Sequence, residues 1–140
     1  MKIPRNKPAK NLFEQFCAGY EKRDLPSTLS LFTKNANVWG SGIDEYRVGL
    51  KEIEEQLQRD WSQSDESRIE IVRFIVSPDD ALWAAAICNA HLKIAGQDYV
   101  FDHLRGTIII EQDEGNWKIA HMHASFPDYR NAENNSFPVN

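Results

Sequence analysis

The run IEIVRFIVSPDDALWAAAICNAHLKI, residues 69–94, decides how this chain folds. Ile69–Val76 and Ala81–Ile94 are rich in β-branched and small apolar residues. Between them stands Ser77-Pro78-Asp79-Asp80, a strong turn sequence, so the run predicts a hairpin. Side chains alternate along a strand. Ala84, Ala86, Cys88, Ala90 and Leu92 therefore share one side of the second strand, and Trp83, Ala85, Ile87, Asn89, His91 and Lys93 share the other. Charge dominates neither side, so both are expected to be covered, one by the chain's own helices and the other by a partner subunit.

Reading toward the C-terminus, Ala95-Gly96-Gln97 turns the chain into a third strand, Tyr99–Glu111. Asp113-Glu114-Gly115-Asn116 then leads into a fourth, Trp117–Phe126. Four antiparallel strands in meander order follow from these signals. The segment after Phe126, with two Pro and four Asn, reads as a peripheral arm.

Toward the N-terminus the period changes to that of helices. Leu12, Phe13, Phe16, Cys17 and Tyr20 fall on one helical face. Asp24 is placed to cap a short second helix, with Pro26 in its first turn and Leu25, Leu29 and Phe32 on its apolar side. Ala36–Gly40 reads as a short strand closed by Gly40-Ser41-Gly42. A third helix follows Gly49, carrying Leu50, Ile53, Leu57 and Trp61 on one side, and the polar stretch 62–67 reads as a loop. The fold class is α+β, with helices closing one face of a strongly curved, mainly antiparallel sheet and leaving a cone-shaped hollow. The expected organisation is a leader over 1–8, one domain over 9–128 and a tail over 129–140.

Composition narrows the function classes. Of 140 residues 41% are hydrophobic and 26% charged, as in an ordinary globular domain. Lys and Arg number 16 against 21 Asp and Glu, for a net charge of -5, so no concentrated basic surface points to nucleic acid. No apolar run is long enough to span a membrane or serve as a signal peptide. Cys17 and Cys88 stand in apolar stretches with no metal or redox spacing, which suits a reducing, cytoplasmic setting.

Three pieces of the chain carry a family resemblance: Val38–Gly49 (VWGSGIDEYRVG), Gln58–Trp61 (QRDW) and Trp117–Pro127 (WKIAHMHASFP). In this order and spacing the sequence resembles the SnoaL-like branch of the NTF2-like superfamily, which also holds nuclear transport factor 2 and ketosteroid isomerase. The resemblance implies a cystatin-like cone with a ligand pocket at its open end and a dimer formed through the sheet. It does not imply catalysis, because the same scaffold serves enzymes, adaptors and oligomerisation modules.

Strict alternation groups the polar residues of the late strands. Phe101, His103, Arg105, Thr107 and Ile109 share one side, as do Trp117, Ile119, His121, His123 and Ser125. With Asn89 and His91 beside them, the candidate ligand-binding set is Asn89, His91, His103, Arg105, His121 and His123, closed by Trp39, Tyr46 and Trp61. Arg105 suits an anionic group and a histidine suits proton transfer near neutral pH. The competing reading places these side chains at a dimer interface or in ties across the sheet.

No metal is expected, because no carboxylate shares the face of His121 and His123. No cofactor is expected either. Isomerase chemistry of the ketosteroid kind needs a carboxylate base and an acidic donor. Tyr20, Tyr46 and Asp60 are available, but no Asp stands on the expected inner side of a central strand. Two functions stay open. One is a binder of a small hydrophobic or anionic molecule, with or without isomerase- or lyase-like activity. The other is a non-catalytic homodimerisation or partner-binding module.

Overall fold

The computed structural model describes residues 7–139. Most of the expected leader lies outside the described residues.

Helix α1, Pro8–Lys22, begins with proline in its first turn, where no amide hydrogen is missed. Its apolar stripe buries Leu12, Phe13, Phe16 and Cys17. Its second helix neighbour, α2 (Leu25–Leu29), is capped by Asp24, whose side chain accepts from the Ser27 amide at 3.2 Å. Gly19 permits this tight corner. A Cβ there would lie 2.3 Å from Thr28 Oγ1, so only glycine lets α1 rest on α2.

Phe32 does not continue α2 as its spacing suggested. It opens β1 (Phe32–Trp39), where it is buried against Phe16 with ring centroids 5.9 Å apart. A short strand not expected from the sequence, β2 (Tyr46–Val48), pairs back on β1. Gly49, at φ 85°, then turns the chain into α3, Gly49–Ser62. The remaining strands are β3 (Glu66–Phe74), β4 (Trp83–Ile94), β5 (Gln97–Asp113) and β6 (Asn116–Ser125).

The sheet order is β2-β1-β6-β5-β4-β3, and only β1 and β6 run parallel. The meander of the last four strands is thus as the turns predicted. β3 begins at Glu66, inside the stretch expected to be loop.

Three bulges within the β3–β6 meander control which of its side chains face the helices. Between β5 and β6 one extra residue, Ala120, separates the pairs Ile110–Ile119 and Ile109–His121. Between β4 and β5, Asp102 and His103 together stand opposite Asn89, and His103 takes φ 58°. Val72 is the extra residue in β3. Each bulge reverses the side on which the strand's later residues point.

The inner face consequently carries Ala84, Ala86, Cys88, Leu104, Ile108 and Ile110, all buried. Ile119 joins them, fully buried, on the opposite side from His121. Each such isoleucine contributes roughly 2–3 kcal/mol of burial, enough to decide the face. Burying imidazoles and a guanidinium there would require partners that the helices do not offer.

Arg23 ties the two long helices together. Its Nη1 donates to the Trp61 carbonyl at 2.7 Å, and its Nη2 donates to the Ser64 carbonyl at 3.0 Å and hydroxyl at 2.9 Å. The C-terminal end of α3 is thereby held against the end of α1.

Candidate functional site

Curvature of the sheet leaves a cavity of about 310 Å³ between its inner face, α1 and α3. Its walls are mostly apolar: Phe16 from α1, Ile53 and Leu57 from α3, and Leu104, Met122 and Phe126 from the sheet and its end. A volume of this size suits a small organic molecule.

Arg47 and Arg68 also border the cavity, and one hydrogen-bonded polar wall interrupts the hydrocarbon. Tyr20 Oη donates to Asp60 Oδ2 at 2.9 Å. Gln56 Nε2 donates to Asp60 Oδ1 at 2.7 Å and to Glu45 Oε2 at 3.2 Å. Glu45 reaches this wall from the loop between β1 and β2, where its Oε1 accepts from the Gly42 amide at 2.7 Å. All four side chains line the cavity.

Burial sets the acid–base character of this wall. Loss of hydration raises the Asp60 carboxyl above its usual range, against the lowering effect of the Gln56 and Tyr20 bonds. Burial, with the Asp60 charge next to it, pushes the Tyr20 hydroxyl well above the ordinary phenol range. Tyr20 is therefore a hydrogen-bond donor that keeps its proton.

Trp61 supports the pair from behind. Its Nε1 donates to the Tyr20 carbonyl at 3.1 Å, and the two rings lie 5.9 Å apart. It does not line the cavity. Trp39 borders the cavity at the end of β1, and Tyr46 stacks on it with centroids 4.3 Å apart without reaching the cavity.

The remaining expected residues do not gather around the hollow. Asn89, His91, Arg105, His121 and His123 stand on the outer face of the sheet, and His103 stands in the exposed bulge. The expected face is corrected because the more apolar series of each strand turned to the helices. Glu70 of β3 collects two of them: its Oε1 lies 2.8 Å from His91 Nε2 and accepts from Asn89 Nδ2 at 3.3 Å. These are cross-strand ties. His121 Nδ1 is hydrogen bonded to Asn37 Oδ1, and burial holds its imidazole below the usual range. His103 Nδ1 sits 3.3 Å from Asp102 in solvent. Arg105, the expected anion hook, is outside the cavity. Among the described residues no group of three His, Cys, Asp or Glu side chains could hold a metal.

Tyr20 and Asp60 were recognisable as an acid–base set only in part. Both are helical, on α1 and α3, whereas the sequence expectation for such a base was an Asp on a central strand. Glu45 and Gln56 carried no sequence signal for the site. Glu45 also satisfies an exposed loop amide, that of Gly42.

Two helices and a short third element wrapped by a curved six-stranded mixed sheet, with an apolar hollow between, define an NTF2-like, ketosteroid-isomerase-like cone. The chain belongs to the SnoaL-like family, whose domain model matches residues 9–129. Among solved structures, a candidate aromatic ring hydroxylase from Novosphingobium aromaticivorans superposes with a TM-score of 0.73 at 19% identity, covering 89% of this chain and 92% of that one. A candidate calcium/calmodulin-dependent protein kinase II association domain from Xanthomonas campestris gives 0.72 at 18% identity, with 86% of each chain covered. TerC, co-crystallised with polyporic acid, gives 0.68 at 16% identity, covering 86% of this chain and 92% of its own. At these identities the likeness shows the fold alone. No curated protein matches the chain.

Proposed function

We propose that this chain binds a small apolar molecule in the cavity and that Tyr20 and Asp60 form a proton-transfer centre of the isomerase or lyase kind. The observation that carries the reading is a tyrosine–carboxylate pair at 2.9 Å set into a mostly apolar hollow, which Glu45, Gln56, Arg47 and Arg68 also line. Asp60, raised by burial, is poised to take a proton from carbon next to a carbonyl and return it elsewhere on the molecule. Tyr20, which keeps its proton, is the donor that would turn from Asp60 to the oxygen on which negative charge develops. Gln56 and Glu45 hold the other carboxylate oxygen of Asp60 and the loop beside it. Family membership and the co-crystallised ligand of TerC support small-molecule binding on this scaffold. Trp39 belongs to the proposed site as a rim residue.

The test is deuterium exchange into 2-tetralone, a bicyclic ketone of suitable size. Wild-type protein in heavy water should accelerate exchange next to the carbonyl, and Asp60→Asn should reduce that acceleration about 100-fold or more. Exchange no faster than in buffer would sink the proton-transfer reading. Binding itself is followed separately by saturation transfer to the ketone.

A second reading, homodimerisation without catalysis, is favoured by the outer face. Trp83, Ile109 and His121 form one row across β4, β5 and β6, with Trp83 38% and Ile109 46% exposed. Sedimentation at micromolar concentration distinguishes dimer from monomer, and Trp83→Glu should split a dimer built on this row. A reducing, cytoplasmic setting goes with both readings. Cys17 and Cys88 are buried and unpaired, and burial pushes their thiols up to about 12 and about 11.

A further inference from the structure

We infer that residues 40–45, the loop between β1 and β2, form a gate on the cavity, latched to α3 by the hydrogen bond between Glu45 and Gln56. This rests on the ligand-binding reading above and deepens it by naming how a ligand enters and is held.

The loop is built as a unit and begins where the β1–β2 ladder ends. Trp39 and Tyr46 make the last pair of that ladder, and their rings stack. Beyond them the Gly40 amide donates to the Glu45 carbonyl at 2.6 Å, and the Glu45 amide donates to the Gly42 carbonyl at 3.3 Å. The Gly42 amide donates to Glu45 Oε1 at 2.7 Å. The two glycines leave room for this carboxylate: a Cβ on Gly40 would lie 2.6 Å from Glu45 Oε1, and one on Gly42 would lie 2.7 Å from Glu45 Cδ.

Little holds the unit down. Residues 41–44 are exposed, Ile43 at the tip fully so, and Glu45 is half-buried. Among the described residues two polar contacts join the loop to α3. Glu45 Oε2 accepts from Gln56 Nε2 at 3.2 Å, and Asp44 stands 3.9 Å from Arg59 at the exposed surface. The exposed ion pair contributes little. Gln56 Oε1 is buried without a hydrogen-bond partner, a cost that hydration on opening would remove and that works against the latch.

The latch stands between two hollows. Gln56 and Arg47 line both the cavity and a polar surface hollow of about 370 Å³, which Glu52, Glu55 and Arg59 complete. Trp39, Gly40, Ser41 and Glu45 continue the same border of the cavity. Swinging the loop away from α3 therefore joins the two hollows and opens a path for a ligand. Arg47 braces the base of the loop, its Nη1 donating to the carbonyls of Asp44 at 2.7 Å and Tyr46 at 3.1 Å.

Closure also bears on Asp60. Gln56 Nε2 donates to Asp60 Oδ1 at 2.7 Å as well as to Glu45. Burial raises the Asp60 carboxyl and the Glu45 charge adds to that effect, with Arg59 acting against it. The carboxylate is thus the stronger base while the loop is shut and a ligand is enclosed.

Three variants test the gate. Gln56→Leu breaks the latch and leaves the loop's own bonds in place, Glu45→Ala breaks both, and Asp44→Asn removes only the exposed contact. NMR order parameters of the amides of residues 41–44 should fall below about 0.6 in the first two and hold in the third. The sheet amides in the same spectra establish that each variant folds. In stopped flow with 2-naphthalenemethanol, an uncharged aromatic probe, both latch variants should raise the association and dissociation rate constants together, by about tenfold or more. A loop that keeps its order in Gln56→Leu overturns the latch. A loosened loop with unchanged rate constants overturns the gate and leaves the cavity reading standing. If the probe does not bind to folded wild-type protein, the cavity reading falls and the gate with it.

Discussion

The Tyr20 hydroxyl donates to Asp60 across the contact between α1 and α3, 40 residues away in sequence and 2.9 Å in space. This bond exists because Arg23 and Trp61 lock the ends of the two helices, through the Trp61 carbonyl at 2.7 Å and the Tyr20 carbonyl at 3.1 Å. The pair is thus both a structural joint and part of the cavity wall.

The buried carboxyl gives stability a pH dependence of known sign. Asp60 in the folded protein lies above its unfolded value, so the folded state holds a proton where the unfolded chain has lost it. Its contribution to stability is present at low pH and is lost as pH rises from the unfolded value, about 3.9, through the folded one. Asp60→Asn abolishes this loss. In urea unfolding the variant should gain on wild type between about pH 4 and pH 7. Parallel pH profiles would contradict the raised carboxyl.

The bulge at Ala120 makes a sharp prediction about two neighbouring isoleucines. Ile119 is fully buried on the inner face, whereas Ile109 is 46% exposed on the outer one. Ile119→Ala should lose about 3 to 4 kcal/mol and Ile109→Ala less than about 1 kcal/mol in the isolated chain. Equal losses would mean that the strand does not change sides there.

His103 sits at φ 58°, a conformation that a side chain resists and glycine accepts. Its contact with Asp102 is solvent-exposed and contributes little. His103→Gly should therefore raise stability by up to about 1 kcal/mol, and His103→Val should lower it by more. Thermal unfolding of the two variants reads the difference, and a destabilised glycine variant would refute it.

Gly19 offers a test of the helix corner. Alanine is the better helix former by about 1 kcal/mol, yet its Cβ would lie 2.3 Å from Thr28 Oγ1. Gly19→Ala should destabilise the protein by about 1–3 kcal/mol, and adding Thr28→Ala should recover part of that loss. A double-mutant cycle measured in urea checks the coupling. An additive result would show that the close approach is not what selects glycine.

Local chemistry was enough to read the meander, the capping of α2 by Asp24 and the entry to α3 at Gly49, because turns and caps depend on residues within a few positions of one another. The three motifs around Trp39, Trp61 and Trp117 were enough to recognise the family. The cavity wall was not legible in the same way. Tyr20, Glu45, Gln56 and Asp60 come from three separate segments, and no spacing within the chain records that they meet.

What the sequence alone determined is the apolar alternation of each strand and the helical stripes that cover it, since both follow from periodicity. Which side of β4, β5 and β6 turned inward was decided by tertiary structure. A bulge adds one residue to one strand against its partner, and that mismatch is a property of the pair. Packing then placed Ile119 inside and His121 outside, because isoleucine gains by leaving water and imidazole does not.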